Sequence, residues 1–265
     1  MIQYFFVEAI LLIIAASDVH RGYQSSNRQV FLDFIEEVCR PLSSDDHLVL
    51  LGDILDFWRR NNVSVAVDNE LIFNMLETLD AKIHYIVGNH DYTLITLKLP
   101  ENQLFDVRKS LRLEDKGVVY NFIHGYQLEA LAVFEPLTIE EYESLCASLC
   151  QRTGDFVGDI LSILWDTIHL SFKKGDKRQQ TITSITDVPE SRRDMHKVEQ
   201  LARSSVRDLF LGLPRNGRLI FGHTHRPFIE EQVANTGSWV SDAQMQNTYV
   251  KIDGGKMELE TYKKD

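Results

Sequence analysis

Short apolar segments alternate with amphipathic patterns along the chain. Five of these segments have the length and apolar content of buried strands: residues 10–16, 47–51, 82–87, 118–123 and 218–221. Two intervening stretches, residues 27–40 and 68–79, repeat apolar side chains every three or four positions, which predicts a buried helical face in each. The alternation of strands and helices predicts an α/β protein in which helices cover a sheet.

The alternation stops in the middle of the chain. Residues 128–213 show helical periodicity only, and Thr138-Ile139-Glu140-Glu141 forms a capping box that predicts the start of a helix. Two further helices are predicted near residues 155–170 and 190–211. We therefore predict a single domain, residues 1–265, that contains a helical insertion at 128–213, which forms a lid or cap.

Strand patterns return after the insertion. Residues 232–240, 248–252 and 256–262 are rich in residues that favour strands. Asp253-Gly254-Gly255 lies between the last two segments and predicts a hairpin turn. The α/β pattern therefore resumes after the helical block.

The composition is that of a globular protein, since 44% of the 265 residues are hydrophobic and 25% are charged. Three cysteines do not suit a secreted disulfide framework. Residues 1–16 are apolar but lack the basic start of a signal peptide and are too short to span a bilayer. We therefore expect residues 1–8 to form an edge segment, no transmembrane segment, and a cytoplasmic location. The net charge of −11 disfavours nucleic acid as a partner.

Each of the five predicted strands is followed by residue types that bind metals. The clusters are Asp18-Val19-His20, Gly52-Asp53-Ile54-Leu55-Asp56, Gly88-Asn89-His90-Asp91, His124-Gly125 and Gly222-His223-Thr224-His225. Sites in α/β proteins form outside the carboxyl ends of strands, so we expect these clusters to converge. Imidazole with carboxylate and amide oxygen favours Mn, Fe or Zn, and the ligands outnumber those that one tetrahedral ion needs. The pattern therefore indicates two metal ions.

This ordered set resembles the complete motif set of the calcineurin-like metallophosphoesterases. The resemblance implies a four-layer αββα sandwich and a phosphohydrolase in which metal-activated water cleaves phosphoester or pyrophosphate bonds. It implies two divalent ions, with Mn as the first choice and Fe, Zn and Mg as alternatives. The implied ligands are Asp18, His20, Asp53 and His225 for one ion, and Asp53, Asn89, His124 and His223 for the other. His90 would stabilise the transition state or protonate the leaving oxygen, and Asp56 would orient His90.

Three segments, residues 52–58, 222–227 and 235–239, look like the branch of this family that contains UDP-2,3-diacylglucosamine hydrolases. Those enzymes also carry a helical insertion after the fourth motif. That branch typically has arginine where this chain has His90, which fits the broader family pattern. The alternatives are a pyrophosphatase of this type, a nuclease or phosphodiesterase, and a non-catalytic scaffold of the same fold. The expected partner is a phosphorylated small molecule or a nucleotide-linked or lipid-linked substrate. Peripheral contact with a membrane and the oligomeric state stay open.

The insertion differs in charge from the rest of the chain. Residues 171–215 contain more basic than acidic residues, whereas the remainder is acidic. A basic lid over a site for an anionic substrate explains this difference, and so does a solvated helix face.

Overall fold

The computed structural model describes residues 11–59, 69–96, 106–152, 190–214 and 217–264. The edge segment expected at residues 1–8 and the helix predicted near 155–170 lie outside these ranges. Of the helices in the described part of the chain, none combines the length and the apolar character that crossing a bilayer requires.

A six-stranded sheet contains the first three predicted strands. Its strands are β1 (Leu12–Ala16), β2 (His47–Leu51), β3 (Lys82–Ile86), β4 (Asp106–Arg108), β10 (Thr248–Asp253) and β11 (Lys256–Thr261). They lie in the order β11-β10-β1-β2-β3-β4. The strands β1 to β4 run parallel, whereas β10 is antiparallel to both β1 and β11. Asp253 pairs with Lys256, which confirms the predicted hairpin.

A five-stranded sheet contains the other two predicted strands. Its strands are β5 (Ser110–Asp115), β6 (Val118–Ile123), β7 (Arg218–Phe221), β8 (Phe228–Glu230) and β9 (Val233–Asn235). They lie in the order β5-β6-β7-β9-β8. The strands β6, β7 and β9 are parallel, and β5 and β8 close the edges as antiparallel partners.

The described helices lie near the predicted positions, except that the helix predicted at 190–211 is divided in two and a helix at 126–132 was not predicted. They are α1 (Arg28–Phe34), α2 (Glu70–Glu77), α3 (Tyr126–Ala132), α4 (Ile139–Arg152), α5 (Glu190–Arg203) and α6 (Val206–Leu211). A π-helical turn at Ile35–Cys39 continues α1, and a 3₁₀-helix spans Tyr92–Thr96. The capping box before α4 is present, because the Thr138 N–H donates to Glu141 and the Glu141 N–H donates to Thr138 Oγ1.

Three apolar cores separate four layers. Alternate residues of β1 face opposite sides: Ile13 and Ala15 lie between the two sheets, and Ile14 and Ala16 face the helices over the first sheet. A third core joins the outer face of the second sheet, at Phe221, to α5. The order of layers is therefore helix, sheet, sheet, helix, which confirms the αββα fold.

The described helices of the insertion belong to both helical layers. Tyr142 and Cys146 of α4 pack into the core over the first sheet, whereas Val198 and Ala202 of α5 pack against the second. Within residues 128–213, every regular element that the structure describes is a helix. The predicted role of the insertion as a lid stays a prediction.

The strand predicted at residues 232–240 is wrong in its second half. The strand ends at Asn235, and the chain turns at Gly237, whose φ of 77° is incompatible with an extended strand. The Trp239 N–H donates to Asp18 O, and its ring packs edge-on against Phe31 at 5.0 Å. This segment therefore supports the loop after β1 instead of extending the sheet.

Candidate metal centre

All five motif clusters lie at the carboxyl ends of parallel strands. The strands β1, β2 and β3 of the first sheet and β6 and β7 of the second sheet end at the same side of the sandwich. Strands of two different sheets thus supply one site, because the sheets pack face to face. This arrangement agrees with the expected convergence.

One group of ligand atoms comes from the loops after β1 and β7. His225 Nε2 lies 3.2 Å from Asp18 Oδ1 and 3.0 Å from His20 Nε2. Two atoms bound to one ion at about 2.0–2.2 Å lie about 3 Å apart, so this spacing suits ligands of a single cation. Asp18, His20 and His225 therefore fit one metal ion.

A second group comes from the loops after β2, β6 and β7. His124 Nε2 lies 3.3 Å from Asp53 Oδ2 and 3.3 Å from His223 Nδ1. Asp53 Oδ2 also lies 3.8 Å from His20 Nε2 of the first group. The other oxygen, Oδ1, accepts the His90 backbone N–H at 2.8 Å. Asp53 thus has one oxygen facing both groups, as a bridging ligand requires.

Two buried oxygen atoms in the site, Asp18 Oδ1 and Asn89 Oδ1, make no well-formed hydrogen bond within the described part of the chain, and Asp18 Oδ1 faces the predicted ligand atom His225 Nε2 at 3.2 Å. An unsatisfied buried oxygen costs free energy unless a cation or donor faces it. Together with the imidazole and carboxylate ligands, these oxygens fit divalent first-row metal ions. The buried oxygens and the types of ligand among the described residues are therefore compatible with a metal centre.

The backbone at the site is strained. Among the described residues, seven other than glycine have a positive φ in the left-handed region. Five of the seven are predicted ligands: Asp18, His20, Asp53, His223 and His225. This conformation costs of order 1 kcal/mol or more per residue and persists where the surrounding fold enforces it. Such a concentration of strain is typical of functional sites.

The loop after β3 approaches Asp53 so closely that only glycine fits at position 88. A Cβ at Gly88 would lie 2.0 Å from Asp53 Oδ1 and 2.6 Å from Asp53 N. Asp91 joins the same loops, because its carboxylate accepts the N–H groups of Gly88 and Ile54 and the Tyr85 hydroxyl. These contacts make Asp91 a structural link between the β2 and β3 loops.

Buried carboxylates and histidines shift each other's pKa values. Burial favours the neutral form of Asp18, but the adjacent His124 and further histidines outweigh it and hold the pKa of Asp18 well below its ordinary value. Burial lowers the pKa of His20, whereas the neighbouring Asp18 and Asp56 carboxylates raise it to about 10. The same competition, with Asp53 as the main partner, raises the pKa of His124 to about 9. The site therefore attracts positive charge strongly.

His90 lies beside the two groups and is held by Asp56. His90 Nδ1 is 3.1 Å from Asp56 Oδ1, and the indole of Trp58 stacks on the His90 ring at 4.1 Å. Asp56 also lies 3.2 Å from His20 Nδ1 and contacts the Arg59 guanidinium. Asp56 thus contacts the Nδ1 atoms of both His90 and His20, and its role in orienting His90 stays a prediction. The Nε2 atom of His90 is the ring nitrogen left for other partners.

Sequence reasoning missed one buried carboxylate. Glu129 of α3 lies 2.9 Å from His223 Nε2, although it belongs to none of the five clusters. Its one sequence signal is an acidic residue in the first turn of the helix that follows His124.

Comparisons with known proteins agree with the motif set. The family model described as calcineurin-like phosphoesterase matches residues 11–227. A comparison with curated proteins found no match.

Three solved structures illustrate the structural similarity. An archaeal phosphodiesterase is 14% identical, with a TM-score of 0.43, over 95% of this chain and 99% of its own. A dimetal phosphatase from Danio rerio is 13% identical, with a TM-score of 0.42, over 96% and 99%. Vps29 from Entamoeba histolytica is 12% identical, with a TM-score of 0.39, over 95% and 99%. At these values the similarities carry no argument about activity.

Proposed function

Because the chain belongs to the calcineurin-like phosphoesterase family, we propose that it is a dinuclear-metal phosphohydrolase that cleaves phosphoester or pyrophosphate bonds. The observation that carries this proposal is that Asp53 Oδ2 lies between the two ligand groups, 3.3 Å from His124 Nε2 and 3.8 Å from His20 Nε2. A site for one ion needs no carboxylate oxygen between two such groups. The family and the geometry therefore favour an enzyme.

The proposed ligands are those of the two groups together with Asn89. One ion is held by Asp18, His20, Asp53 and His225, and the other by Asp53, Asn89, His124 and His223. Bound divalent ions would stabilise negative charge on phosphoryl oxygens and lower the pKa of water. Nitrogen and oxygen ligands without thiolate suit Mn, which we propose as the natural metal ahead of Fe, Zn and Mg.

His90 is the proposed proton donor to the leaving oxygen. The Asp56 carboxylate engages Nδ1, so Nε2 is the atom that exchanges the proton with substrate. The stacked Trp58 indole limits rotation of the ring. The His90 side chain is 13% exposed and that of His225 is 33% exposed, which indicates that substrate reaches the site between them.

The proposed substrate is a phosphorylated small molecule or a nucleotide-linked or lipid-linked phosphate. The net charge of −11 disfavours a nucleic acid, whose phosphate backbone requires basic contacts. The alternatives are a pyrophosphatase of the UDP-2,3-diacylglucosamine type, from which His90 departs, a nuclease or phosphodiesterase, and a non-catalytic scaffold. The cytoplasmic location remains a prediction.

The test compares hydrolysis by the Mn²⁺-loaded protein across four substrates: p-nitrophenyl phosphate, its bis ester, a UDP-sugar and single-stranded DNA. We expect Asp53→Asn to abolish metal-dependent hydrolysis, because it removes the shared charge, and to leave the circular dichroism spectrum unchanged. Asp106→Asn is the matched control, since it makes the same change on an exposed residue of β4. Full activity of Asp53→Asn, or no metal-dependent hydrolysis by the wild type, would overturn the proposal.

A further inference from the structure

A buried glutamate contacts a predicted metal ligand from outside the motif set. Glu129 lies in the first turn of α3, five residues after His124, and is 3% exposed. Its Oε2 atom is 2.9 Å from His223 Nε2. The two residues are distant in sequence but adjacent in space, because β6 and β7 are parallel neighbours.

The position of Glu129 is held by a second helix. The hydroxyl of Tyr142, on α4, donates to the same Oε2 atom. The Tyr142 ring is fully buried and lies parallel to that of Tyr126, with centroids 5.8 Å apart. The Tyr126 hydroxyl donates in turn to Glu143 at 2.9 Å. Glu129 thus has two anchored contacts, with Tyr142 on one side and His223 on the other.

This contact determines which nitrogen of His223 is available to a metal. An ionised carboxylate only accepts hydrogen bonds, so His223 Nε2 is the donor and carries the hydrogen. A neutral ring then has its lone pair on Nδ1, which faces His124 Nε2 at 3.3 Å in the second ligand group. A carboxylate behind a ligating histidine fixes the ring orientation and increases its basicity.

We propose that Glu129, supported by Tyr142, is a positioning residue that prepares His223 to bind the second metal ion. The inference rests on the proposed function for the ion but adds a role for helices α3 and α4. His124 shows the contrast, because its second nitrogen, Nδ1, lies 2.9 Å from the Leu51 carbonyl, a backbone partner. The orientation of His223 instead depends on a side chain, which mutation can remove.

The test measures metal binding directly. Wild type, Glu129→Gln and Tyr142→Phe are titrated with Mn²⁺ alone in competition with a chromophoric chelator, and with Co²⁺ alone by visible absorption. We expect Glu129→Gln to lower the affinity for one of the two ions 10- to 100-fold, which is the range for such supporting contacts, and to change the Co²⁺ spectrum. The other ion, held by the Asp18 group, keeps its affinity. Tyr142→Phe, which removes only the hydroxyl, gives a smaller loss at the same ion.

Glu143→Gln is the matched control. Glu143 is also a buried glutamate, but its partners include Tyr126, Lys109 and Tyr92, and within the described part of the chain it makes no hydrogen bond to a residue of the ligand groups. We expect this variant to bind both ions with wild-type affinity. A loss equal to that of Glu129→Gln would show a general packing effect and overturn the positioning role.

The outcomes separate this inference from the proposed function. A wild type that binds fewer than two ions overturns both. A wild type that binds two ions, with unchanged binding in Glu129→Gln, overturns the positioning role alone. Where Glu129→Gln does not fold, Tyr142→Phe decides, because an unchanged Co²⁺ spectrum and affinity in that variant contradict the role.

Discussion

Histidine pairs face each other near both ends of the parallel strands of the first sheet, but their surroundings are opposite. At the carboxyl ends, His20 Nε2 and His225 Nε2 are 3.0 Å apart. Towards the amino ends, His47 Nδ1 and His84 Nε2 are 2.7 Å apart and their rings stack. Buried carboxylates raise the pKa of His20 to about 10, whereas burial, together with His84 and Lys82, lowers that of His47 to about 4.

The difference shows that close histidine nitrogens alone do not make a cation site. Near the amino ends, the neighbouring carboxylates have other partners: both Asp46 oxygens accept hydrogen bonds from Leu12 and Ser43, and Asp106 pairs with Arg108. At the carboxyl ends, the buried carboxylates of Asp18, Asp53 and Asp56 face the histidines, and the backbone of several ligands is left-handed. The buried carboxylates and the strained backbone therefore separate the metal centre from an ordinary histidine pair.

The largest expected effect is that of Gly88→Ala, since the new methyl group would overlap Asp53. Overpacking of this kind typically costs about 1–3 kcal/mol and occasionally more, and here it would displace Asp53. We expect lower stability in urea and loss of bound metal. The control is Gly117→Ala in the β5–β6 turn, where a Cβ meets no atom within 4 Å. At Gly117 the positive φ is the source of strain for alanine, and it costs about 1 kcal/mol of stability. Equal stability and metal content in the two variants would refute the steric argument.

The sequence predicted the parts of the site that strands determine. The five strands were found because their apolar runs are local, and their polar ends follow from the same segments. Glu129 was missed because its partner, His223, is brought near only by the pairing of β6 with β7. The strand at 232–240 was predicted too long because the residue pattern does not show that Gly237 adopts a positive φ, which turns the chain after Asn235.

The short edge strands were missed for a related reason. The strand β4 has three residues, and its pairing with β3 depends on the sheet already being formed. The left-handed backbone conformation of the ligands could not be predicted from the sequence either. Aspartate and histidine adopt many conformations, and only the converging loops select this one.

The second prediction concerns stabilisation by metal. A cation that binds only the folded chain adds about 2.7 kcal/mol to the free energy of unfolding at 100 times its dissociation constant. We expect Mn²⁺ to raise the melting temperature of the wild type and of His84→Gln. Asp18→Asn loses a ligand of one ion, so the increase should be smaller. An equal increase in Asp18→Asn would contradict the assignment of the Asp18 group.

The third prediction links metal binding to protons. With pKa values of about 10 and 9, His20 and His124 are protonated at pH 7 in the metal-free protein. A metal ligand must be deprotonated, so binding releases these protons and affinity rises with pH, by up to about tenfold per pH unit for each proton. Calorimetry in two buffers of different ionisation enthalpy counts the protons released. Binding without proton release would contradict the prediction.

The smallest effect is expected at the His47–His84 pair. His47 has a folded pKa of about 4, whereas an unfolded histidine titrates near 6.5. Between these values the unfolded chain binds more protons, so stability falls as pH falls. His84→Gln keeps a hydrogen-bonding partner for His47 but removes the neighbouring ring that titrates.

We therefore expect the wild type to lose about 1 kcal/mol relative to His84→Gln when urea unfolding is compared at pH 7 and pH 5. The comparison between the two proteins cancels the contribution of the carboxyl-end histidines to the pH dependence of stability. Their raised pKa values affect stability with the opposite sign. Their contribution is fully present below pH 6.5 and is lost towards pH 10. Parallel pH profiles for the two proteins would mean that His84 does not depress the pKa of His47. The contrast between the two ends would then rest on the carboxylates alone.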